Sequence, residues 1–318
     1  MLPLSKSLVL LVVATVAGCA TNDSDPTGQE EGTDITDAAF SDRTASCAAR
    51  VGHYTATARD LTRDLDFSAT VDIEVQGESC VLSSNGIPNH DFNDTGAFAT
   101  AVSEVVESFT LPQTPTAAGN STALSLQYDN GVFLNGVKLD LLAAACYGIG
   151  DQPLGEEKIG CMSEGTPWRY DPMSPRANFG TDAHNAHTQP DGAYHYHGDP
   201  VALYDDSGAA ASGVIGYAAD GFPIFGPWIE DGGTVRKAVS GYTLREGERV
   251  SQEGEGAFPG GTYDGTYVDD YEFSGAGDLD ECNGTTRDGE YGYYVTDGYP
   301  WIIGCFVGTP DSSFRKGG

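Results

Sequence analysis

Glycine constrains this chain most. It supplies 42 of 318 residues, close to twice the roughly 7% usual in proteins, and 16 prolines punctuate the sequence further. Neither residue suits a helix interior, so the backbone must turn often and its regular elements must be short. The 16 tyrosines and 13 phenylalanines favour strands between those turns. Hydrophobic residues make up 39% of the chain, enough for a sizeable core.

The first residues, MLPLSKSLVLLVVATVAGCA, place Lys6 before an apolar run from Leu8 to Ala17. That run is too short to span a bilayer and suits a signal segment, 1–18. Val16-Ala17-Gly18-Cys19 resembles the lipobox of bacterial lipoproteins, which implies cleavage before Cys19 and its lipidation. Ala20 follows, where an Asp would argue against transfer to the outer membrane of a Gram-negative host. Residues 21–46 hold seven acids and one Arg, so the reading is a solvated tether over 19–45, a folded domain over 46–312 and a tail over 313–318. The expected location is exported and membrane-anchored through the N-terminal lipid.

Six cysteines remain besides Cys19: Cys47, Cys80, Cys146, Cys161, Cys282 and Cys305. An even number in an exported chain points to disulfides, and sequence neighbours suggest 47 with 80, 146 with 161 and 282 with 305. The C-x-x-C spacing of a zinc or iron-sulfur site is missing. The fold expectation is mainly β with long irregular loops and few short helices, in a single disulfide-stapled domain.

Residues 69–75 (ATVDIEV), 122–128 (TALSLQY) and 131–139 (GVFLNGVKL) read as half-buried strands, and 213–217 and 301–305 as short interior ones. Two segments, 97–108 and 139–146, could hold a helix. Asp191-Gly192-Ala193-Tyr194-His195-Tyr196 is echoed by Asp288-Gly289-Glu290-Tyr291-Gly292-Tyr293. Both read D-G-x-Y-x-Y, a turn feeding a strand, through either a diverged duplication or a shared hairpin type.

Four of six histidines, His184, His187, His195 and His197, fall within 14 residues, where even spacing would put roughly a quarter of one. On a strand, His195 and His197 project to one face and Tyr194 and Tyr196 to the other. His184 and His187, three apart, can point the same way on one turn, so up to four imidazoles can converge. Such a set suits copper, zinc or iron, with Asp182 or Asp191 nearby and His90 as a distant fifth ligand. Packing on the opposite face explains Tyr194 and Tyr196 more simply than a role beside the metal. The alternative for the cluster is a hydrogen-bonded loop without an ion.

HNAHTQPDGAYHYHGDP, followed by IGYAADGFPIFGP at 215–227 and GDLDECNG at 277–284, closely resembles the YHYH-domain family of exported bacterial proteins. SNGIPNH at 84–90, Leu134-Asn135-Gly136-Val137 and Tyr299-Pro300-Trp301 through Cys305 extend the likeness over about 80–308. The resemblance implies export and a histidine-centred site, and supplies no reaction. Many members look as though they repeat Tyr-His-Tyr-His in the C-terminal segment, where this chain has Tyr291-Gly292-Tyr293-Tyr294.

A net charge of -31 makes nucleic acid an improbable partner. No nucleophile elbow, zincin motif, phosphate loop or dinucleotide fingerprint is present. The acidic segment Asp264–Asp280 leaves room for an irregular calcium site, though not an EF-hand. Three functions follow: a surface lipoprotein binding a transition metal; a metal-dependent extracellular oxidoreductase or hydrolase, with Asp191 or Tyr196 as acid/base; and a glycan- or protein-binding module using exposed tyrosines and Trp228 or Trp301. An open coordination position beside a deep pocket would favour the enzyme.

Overall fold

The computed structural model describes residues 32–317, and the chain from Gly32 onward forms one compact unit. Strands β1 (Thr33–Asp34), β2 (Gly52–Asp60), β3 (Leu65–Gln76), β4 (Ser79–Ser84) and β5 (Glu107–Pro112) make a five-stranded sheet in sequential order. Along β3, Ala69, Val71 and Ile73 are buried while Thr70 and Asp72 are partly exposed. The alternation of ATVDIEV therefore gives the sheet one covered face.

The remaining strands follow in chain order: β6 (Thr122–Ala123), β7 (Gly131–Phe133), β8 (Lys138–Leu139), β9 (Ala186–Thr188), β10 (Tyr194–Tyr196), β11 (Val214–Ala218), β12 (Pro223–Phe225), β13 (Trp228–Asp231), β14 (Thr234–Lys237), β15 (Tyr242–Leu244), β16 (Tyr271–Phe273), β17 (Gly284–Arg287), β18 (Glu290–Tyr294) and β19 (Cys305–Phe306). Eight of them form a second sheet in the order β17-β18-β12-β11-β7-β8-β10-β9. Every residue of β7, β11 and β12 is buried, and one core cluster joins Val71, Ile73 and Leu82 of the first sheet to Phe133, Tyr196 and Ile215 of the second. Three disulfides join the sequence-neighbour pairs Cys47–Cys80, Cys146–Cys161 and Cys282–Cys305.

The second sheet repeats itself. Hairpins β7–β8 and β11–β12 turn at Asn135-Gly136 and Asp220-Gly221, with φ of 80° and 86° at the glycines. After a long excursion, each half adds a second hairpin, β9–β10 or β17–β18, whose later strand pairs parallel with the later strand of the first. The equivalence reaches individual bonds. Asp182 accepts from the N–H groups of His184 and Ala186 and from the Tyr194 hydroxyl; Asp280 accepts from Cys282, Gly284 and Tyr291 in the same way. Asn185 and Asn283 both adopt positive φ. So detailed a match supports duplication over a hairpin type met twice.

Several expectations need correction. The segment 32–45 does not belong to a tether: β1 pairs with β2, Ile35 is buried, and Asn89 Nδ2 donates to the Ile35 and Ala38 carbonyls. A local apolar cluster, Ile35 to Phe40, outweighs the acidic composition around it. The supposed tail is also folded, with Phe314 fully buried and the Lys316 N–H bonded to Gln127. Among the described residues helix is confined to four 3-10 turns. Segments 97–108 and 139–146 are not helical because their backbone groups find distant partners: Ser103 N–H bonds to Gly192, Val105 N–H to Asn85 and Leu141 N–H to Asn130. Only Thr122–Ala123 of 122–128 and Cys305 of 301–305 are strand. The signal segment, Cys19 and residues 20–31 lie outside the described residues.

Candidate metal centre

The antiparallel register of β9 and β10 sets His195 opposite His187. His197 follows His195 by two residues and shares its face. The three side chains meet at their Nε2 atoms, with His197 lying 3.0 Å from His187 and 3.1 Å from His195. His195 and His197 are buried and His187 half-buried.

The far side of each ring settles what the Nε2 atoms present. His187 Nδ1 lies 2.6 Å from the Phe179 carbonyl and His195 Nδ1 3.3 Å from that of Ala193. A carbonyl can only accept, so these nitrogens carry the protons and both Nε2 atoms hold lone pairs. His197 Nδ1 has no partner. A single proton on His197 Nε2 could serve one neighbour only, whereas a cation at the meeting point would satisfy all three. Burial holds all three imidazoles below their ordinary pKa, and neighbouring rings add to this for His195 and His197. Neutral imidazole is the ligand form.

One side of this triad is open. His187, His195 and His197 line a cavity of about 340 Å³ together with Leu142, Ala143, Lys158, Ile159, Met162, Phe179 and Asp140. Parallel pairing of β8 with β10 matches Lys138 to His195, so Lys138 and Asp140 share the histidine face. A charged chain runs from Glu107 through Lys138, Asp129 and Lys316 to Asp140. Its last oxygen, Asp140 Oδ1, is buried without a partner. Asp140 and Lys316 were not among the residues expected from the sequence, and local spacing carries no signal for either: β8 is only two residues long.

The other candidate residues lie elsewhere. Tyr194 and Tyr196 pack on the opposite face. The Tyr196 hydroxyl donates to His90 Nε2 at 2.6 Å, because His90 Nδ1 faces the Asp91 carbonyl, and it accepts from Asn135 Nδ2. Burial pushes His90 down to about 3. The His184 ring lies 3.9 Å from that of His90, so these two histidines form a separate pair. Asp182 braces the turn before β9, and exposed Asp191 caps the turn before β10 through the Ala193 N–H. Neither Asp191 nor Tyr196 lines the cavity. The indole N–H groups of Trp228 and Trp301 are tied to Asp206 and Asp171.

The acidic segment does not form a calcium loop. Arg249 holds Asp264 and Asp270, Arg236 holds Asp278, and Asp280 accepts from backbone N–H groups. Besides the triad, the one other donor grouping among the described residues is Glu281 with Cys282 and Cys305, and its sulfurs are disulfide-bonded.

A family model described as YHYH protein matches residues 108–308. No curated protein and no solved structure matches the chain.

Proposed function

The chain belongs to the YHYH protein family, and from that premise we propose that it is an exported, lipid-anchored protein holding one transition-metal ion on His187, His195 and His197. The observation that carries this reading is the convergence of three Nε2 atoms, those of His187 and His195 each about 3 Å from that of His197 and each oriented by a carbonyl behind its ring. Three imidazoles suit copper, zinc or iron. The open side of the triad gives the ion an exchangeable position, and the adjoining cavity favours a second reading, a metal-dependent oxidoreductase or hydrolase. Export is supported by the leader pattern around Cys19 and by the three disulfides.

Elemental analysis of the disulfide-intact protein tests the metal reading. The wild type should carry close to one equivalent of transition metal and the His195→Ala/His197→Ala variant less than about a tenth of that. Equal, negligible metal in both would refute it. Anchoring is tested by fractionation: Cys19→Ser should release the protein from the membrane fraction, and unchanged fractionation would refute lipidation.

A further inference from the structure

We propose that the cavity beside the triad receives a small carboxylate with an apolar body, its carboxylate closing the metal's open position. This inference rests on the metal reading above and names the ligand class of that same site. Three neutral imidazoles leave the ion's charge uncompensated, so an anionic fourth ligand is favoured. The one carboxylate on the cavity wall, Asp140, is held through its Oδ2 by Lys316 and Gln189. Lys158, on the cavity wall, forms no ion pair with a carboxylate among the described residues, and its ammonium donates to the Asn178 carbonyl. A second positive group is therefore available to the anion.

Apart from Thr188, Gln189 and the paired Lys316, the rest of the wall is apolar. Leu142, Ala143 and Phe179 form its inner part, and Ile159 and Met162 its mouth. Ile159 is 53% exposed and Met162 67%, on a loop pinned by the Cys146–Cys161 disulfide. Large apolar side chains held at the mouth of a metal-lined cavity offer a surface for an apolar ligand body. At about 340 Å³ the space lies at the small end of ligand pockets, roughly 300–1,000 Å³, which suits a small ligand.

The test titrates copper(II)-loaded protein with benzoate, acetate and benzylamine, following the copper absorption band. Benzoate should half-saturate the change at a concentration at least tenfold below acetate, and benzylamine should be weaker than benzoate. The preference for benzoate should shrink below threefold in Ile159→Asp and Met162→Asp, whose exposed positions spare the fold. Lys158→Gln should weaken both carboxylates at least threefold. Equal benzoate and acetate affinity, a preference that survives both Asp variants, or benzylamine matching benzoate would overturn the proposal while leaving the metal site intact. Failure to retain copper before any ligand is added would overturn the metal reading, and this inference with it.

Discussion

Tyr196 separates two populations of histidine. Its backbone sits between His195 and His197, while its hydroxyl, on the opposite face of the sheet, meets His90 and Asn135. Tyr196→Phe strands a buried acceptor and a buried donor, so it should lower unfolding free energy by about 1–3 kcal/mol in urea titration, with metal content unchanged. Loss of metal in a folded Tyr196→Phe protein would show that the two faces are not independent. The alternation H-x-H was enough to assign faces from sequence. The fate of His184 was not legible, because Asn185 takes a positive φ and the turn around Asp182 sends His184 toward His90 instead of toward His187. Asp140 enters through a pairing with a strand some 55 residues away, which local spacing does not report.

At the scale of elements, the loop closed by Cys146–Cys161 shapes the cavity mouth without supplying a ligand. Its 15-residue separation corresponds to about 3 kcal/mol of loop-closure stabilisation. Cys146→Ser/Cys161→Ser should therefore lose up to that amount in equilibrium unfolding and keep its metal; metal loss from the folded variant would place the loop in the coordination sphere. Elements with a strict apolar alternation, such as ATVDIEV in β3, were legible because period and burial coincide. Segments 97–108 and 139–146 were not. Their helical composition is weak, and hydrogen bonds to the Gly192 and Asn85 carbonyls and to the Asn130 side chain override it.

The whole molecule is organised by a doubled sheet in which one copy carries the histidines. In the other copy His187, His195 and His197 correspond to Thr285, Gly292 and Tyr294, and a Cβ built on Gly292 would lie 2.5 Å from the Phe225 ring. The second site is filled by aromatic packing, with Phe225 stacked on Tyr294. Gly292→His should thus bind no additional metal and should destabilise by about 1–3 kcal/mol through overpacking; a second equivalent in elemental analysis would contradict this. The D-G-x-Y-x-Y echo showed the repeated hairpin in the sequence. The matching first hairpins, Asn135-Gly136 and Asp220-Gly221, were less visible because a single N-G or D-G turn is common. The doubled sheet thus carries one three-imidazole centre, proposed to hold a metal with an exchangeable fourth position. X-ray absorption on the metal-loaded protein should show scattering from three imidazole nitrogens at the usual metal-to-histidine distance of about 2.0–2.1 Å, plus one light-atom ligand altered by benzoate. A four-imidazole shell, or a shell with no imidazole, would contradict it.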